Sequence, residues 1–90
     1  MALTTDDVKV VLRITHDKLD DEIASAIQEA HLEMVRVGIS AEADDELVDR
    51  AVKTYCQMIF TGSDKMRDGY RESWQYQLDN LRKSLEYRDV

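Results

Sequence analysis

The chain has 90 residues, of which 43% are hydrophobic and 34% charged, with 19 Asp and Glu against 12 Lys and Arg for a formal net charge of −7. That length holds one small domain, here residues 1–90 as a single helical unit, and the composition excludes a disordered tail. The acid excess removes the all-over basic footprint of a duplex reader, and the short apolar runs exclude a membrane span.

Three glycines and no proline leave few turn signals, which favours helices over many short strands. In the first segment Thr4 or Thr5 is a natural N-cap, with Asp6 and Asp7 in the turn where the helix dipole favours negative charge. Val8, Val11 and Leu12 form one apolar stripe before β-branched Ile14 and Thr15, predicting a helix over about 5–13. Asp17 is the expected cap of the next helix. There Leu19, Ile23, Ile27, Ala30, Met34 and Val37 recur every three or four residues until Gly38 offers a left-handed stop, predicting a helix over about 18–37.

Asp44, Asp45 and Glu46 mark a third helix start. The wide stripe Leu47, Val48, Ala51, Val52, Tyr55, Met58 and Ile59 makes a helix over about 44–61 the central one. Gly62 follows it, and Ser63 and Asp64 can cap the fourth. Met66, Tyr70, Trp74, Leu78, Leu81 and Leu85 line one side of this last helix. Gly69 costs roughly 1 kcal/mol in a helix interior, so its ordered part is expected to run over about 69–87. The expected fold is all-α, a small bundle of about four helices.

Candidate chemistry is sparse. His31 has Glu29 and Glu33 two residues to either side, on different faces of a helix, so they make no metal set with it. His16 reads as a turn residue. Cys56 lies in an apolar stretch, where a thiol packs as a small hydrophobe. The acid clusters at 20–22 and 44–46 suit helix starts without an ion. No phosphate loop, nucleophile elbow or HExxH signature occurs, so no enzyme, no cofactor and no metal are expected. Residues 1–7 show no export signal and Cys56 stands alone, so a reducing interior is the expected compartment.

Two features point to association instead. Residues 1–49 carry four bases against thirteen acids, net −9, whereas residues 50–90 carry eight against six, net +2. Such polarity suits head-to-tail assembly. Tyr, Trp and Arg, the residues that dominate interface hot spots, gather near the C-terminus; Arg71, Tyr76, Arg82, Tyr87 and Arg88 are the candidate partner-interface residues.

The strings Leu3-Thr4-Thr5-Asp6-Asp7-Val8-Lys9-Val10-Val11-Leu12-Arg13-Ile14, Leu19-Asp20-Asp21-Glu22-Ile23, Val52-Lys53-Thr54-Tyr55-Cys56-Gln57-Met58 and Tyr70-Arg71-Glu72-Ser73-Trp74 span nearly the whole chain. In them the chain resembles the small head-tail connector proteins of tailed bacteriophages, a family also described as DNA packaging proteins. The resemblance implies a helical protomer of a ring of about twelve or thirteen copies. The ring would sit beneath the portal at the head vertex, extend the DNA channel and dock tail-side head-completion proteins. It implies a virion location, with assembly in the bacterial cytoplasm, and DNA that passes without sequence-specific binding. Some members carry a long hairpin between the third and fourth helices; Thr61 to Gly69 is too short for one. The alternative reading is a small cytoplasmic helical interaction module or regulator. A helix-turn-helix DNA binder is disfavoured, because the third helix sets only Arg50 and Lys53 against Asp44, Asp45, Glu46 and Asp49.

Overall fold

A computed structural model describes residues 3–40 and 45–84. Four α-helices follow in chain order: α1 Thr5–Leu12, α2 Asp20–Arg36, α3 Glu46–Phe60 and α4 Asp64–Lys83. The all-α expectation holds over the described residues.

Local chemistry sets most of the ends. Thr4 caps α1 in a reciprocal box: its hydroxyl accepts from the Asp7 N–H at 3.2 Å, and the Asp7 carboxylate accepts from the Thr4 N–H at 3.0 Å. Asp45 caps α3 by accepting from the N–H groups of Leu47 and Val48. Ser63 caps α4 through the Met66 N–H. Helix α2 ends as a Schellman motif: Gly38 takes φ +96°, its N–H donates to Val35 O, and the Ile39 N–H donates to Met34 O. Ile39 and Met34, both buried, supply the apolar contact of that motif. α1 ends in the same pattern with Arg13, at φ 59°, where glycine is usual; Ile14 donates to Lys9 O and Arg13 to Val10 O.

Helix α3 is central and packs against the other three. Its Val48, Ala51, Val52, Tyr55 and Cys56 form one core with Val8 of α1, with Ile23, Ala26, Ala30 and Met34 of α2, and with Trp74 and Leu81 of α4. Val8, Ile23, Val48 and Val52 are fully buried, and each contributes about 1.5–3 kcal/mol by leaving water.

Three expectations are corrected. The fourth helix runs 64–83 rather than 69–87. Ser63 caps it, and Arg67 is tied to the end of α3, which together outweigh the cost of Gly69; Ser84 then turns extended. Leu85, Tyr87 and Arg88 lie outside the described residues. Asp17 does not cap α2, whose N-cap is Leu19 with no side-chain bond, because the Asp17 carboxylate is engaged by Lys9. Leu47, Ile59 and Met66, placed on apolar stripes, are exposed, since each sits on a flank that no described helix covers.

Candidate interaction surface

The two flanks of α4 present different chemistry. Arg71 and Arg82 are eleven residues apart in sequence, about three turns, so they share one side of the helix, and Tyr76 lies about 140° around from Arg71. The structure therefore brings Arg71 and Arg82 to one flank and places Tyr76 on another. Each arginine pairs with the aspartate three residues before it, Arg71 with Asp68 at 3.1 Å and Arg82 with Asp79 at 3.2 Å. Exposed pairs of this kind contribute only about 0.2–1 kcal/mol, so they can be traded for a carboxylate on a partner.

The Arg82 flank borders a groove of about 340 Å³ shared with the end of α2, where Glu33, Arg36 and Val37 face Leu78, Asp79 and Arg82. The Tyr76 flank borders a larger groove, about 580 Å³, between the start of α3 and the end of α4. Leu47, Arg50, Ser73, Tyr76, Asn80 and Leu81 are among its walls. Leu47 is 56% exposed and Tyr76 69%, so apolar surface is left open on both sides of this groove. Among the described residues no carboxylate pairs with the Arg50 guanidinium. Beneath the groove Gln77 donates from Nε2 to Thr54 Oγ1 and Ser73 Oγ, at 3.1 and 3.0 Å, fixing α4 to α3.

Beyond α4, Leu32 and Val35 of α2 are exposed, at 64% and 39%, and so is Val10 of α1 at 76%. The sequence reading passed over Leu32. Its signal was present: it lies off the stripe that buries Ile23, Ala30 and Met34, on the opposite side of the helix.

The other singled-out residues fall into structural roles. His16 Nδ1 accepts from the Lys18 N–H at 3.2 Å in the α1–α2 turn. Lys9 is buried along its stem and its ammonium binds Asp20 at 2.9 Å and Asp17 at 3.0 Å; those two hydrogen bonds, Asp20 first, raise its pKa above the usual lysine value. Asp20 and Asp45 thus serve an ion pair and a cap. Cys56 is buried, which pushes its thiol up to about 11 and holds it protonated. Tyr55 stacks at a tilt on Trp74, with ring centroids 4.9 Å apart, and donates its hydroxyl to Glu29 of α2. Burial, then the Glu29 carboxylate, raise the pKa of that phenol. Among the described residues no three His, Cys, Asp or Glu side chains converge as a metal set, and no helix is long and apolar enough to cross a membrane.

Comparison of the chain with protein-family models, with curated proteins and with solved structures finds no match.

Proposed function

We propose that this chain is a structural protein of the tailed-phage head-tail junction, a protomer whose ring extends the portal's DNA channel and docks tail-side proteins. The observation that carries the reading is the division of its surface. Helix α2 holds five carboxylates against Arg36, net −4, while α4 holds five bases against four acids, net +1, and both regions adjoin exposed large apolar side chains. One end of such a molecule suits the other end of its neighbour. The resemblance of its sequence to connector proteins supplies the setting.

An acidic domain also suits a DNA conduit. Every lysine or arginine bonded to phosphate adds salt-dependent affinity and would retard a moving duplex, whereas a channel wall rich in carboxylates does not grip it. The chemistry asked of the protein is association, with no bond made or broken.

The test is mass measurement by light scattering, with negative-stain microscopy, at rising protein concentration and with the portal protein of the same phage present. Closed rings are the expected outcome. A chain that stays monomeric or dimeric at every concentration, portal included, overturns the proposal and favours the small interaction module.

A further inference from the structure

Resting on that reading of assembly, we infer that the α3–α4 groove receives the outer ridge of α2 from a second copy of this chain. The groove offers Leu47, Tyr76 and Leu81 as apolar walls and Arg50 as a cation without a carboxylate among the described residues. The ridge offers the matching set. Gln28, Leu32 and Val35 recur at the spacing by which a helix anchors in an apolar groove, and Asp21 lies beside them. Within one chain this ridge is unused, because α2 turns Ile23, Ala26, Ala30 and Met34 inward and leaves Leu32 64% exposed.

Charge selects the occupant. Among the described residues the groove walls carry Arg50 and no acid, and α2 carries net −4, so the ridge of a copy is attracted where a basic helix is not. The two patches share no residue: one belongs to α2, the other to α3 and α4. A contact between different patches is heterologous. It leaves a free ridge at one growing end and a free groove at the other, and it terminates by closing on itself when the rotation between neighbours completes a turn.

A mixing experiment tests the pairing. One preparation carries Leu32→Cys and another Tyr76→Cys, with the wild-type chain as the control for buried Cys56, and a short bis-maleimide is added. The mixture is expected to give a cross-linked dimer that neither preparation gives alone, and a chain carrying both substitutions is expected to give a ladder. Independently, Leu32→Glu and Leu47→Glu should each raise the concentration for half-assembly by about tenfold or more, while Val10→Glu, at a still more exposed position, leaves it unchanged. Unshifted thermal midpoints show that these variants fold. Rings that form without the mixed cross-link, or that ignore Leu32→Glu while Tyr76→Glu abolishes them, overturn the pairing and leave the ring reading standing. A wild-type chain that never assembles removes both.

Discussion

At the scale of single residues, the most informative departure is Arg13. Its backbone is left-handed at φ 59°, a conformation that costs an L-residue with a side chain roughly 1–2 kcal/mol and costs glycine almost nothing. Glycine also loses more chain entropy on folding, so the net gain is smaller. Arg13→Gly is expected to stabilise the protein by about 0.5–1 kcal/mol, read as a rise in the urea midpoint at unchanged slope. Gly38 shows the same geometry with the residue that suits it. Lys9 and the Tyr55–Glu29 pair could not be read from sequence, because their partners lie 8 and 26 positions away and meet only through the fold. The candidates Arg71, Tyr76 and Arg82 were legible as types. Their division between two flanks follows from helical geometry alone, whereas the grooves that Tyr76 and Arg82 border depend on how α2 and α3 are packed.

At the scale of elements, caps and stripes located α1 and α3, and the apolar stripe with Gly38 located α2, to within two residues at each end, because those signals are local. Helix α4 was displaced because the penalty at Gly69 is local and the compensation is not. Arg67 reaches back to the end of α3, donating to Thr61 O at 2.7 Å and Met58 O at 3.4 Å, while also pairing with Asp64. The last turn of α3 contains no base of its own. A guanidinium on orphan carbonyls at the negative end of a helix dipole contributes about 1–2 kcal/mol. Arg67→Met, which keeps the stem and removes the fork, should lower stability by that amount in chemical denaturation and loosen the start of α4, seen as faster amide exchange over residues 64–69.

At the scale of the whole molecule, pH should act at both extremes. Lys9, Tyr55 and Cys56 all have folded pKa values raised above their usual 10.5, 10.0 and 9.0. The unfolded chain therefore loses these protons first as pH rises. The stability they supply is complete below about pH 9 and falls as pH climbs through the folded values. Asp7 has the opposite sign: hydrogen bonds from the Thr4 backbone and then its hydroxyl lower its pKa, so its contribution is complete above 3.8 and is lost as pH falls through the lowered folded value. Urea midpoints measured across pH should decline at both ends, with Tyr55→Phe flattening the alkaline limb and Asp7→Asn the acid one.

The ammonium of Lys9 has a consequence for how the molecule comes apart. Helix α1 spans eight residues, commits one fully buried apolar side chain to the core, and is clasped to the head of α2 by a single cation gripping two aspartates. It is a hasp more than a beam. Undoing that clasp is expected to loosen the N-terminal segment first, read in Lys9→Met as faster amide exchange over residues 5–12 while the three longer helices keep their common core.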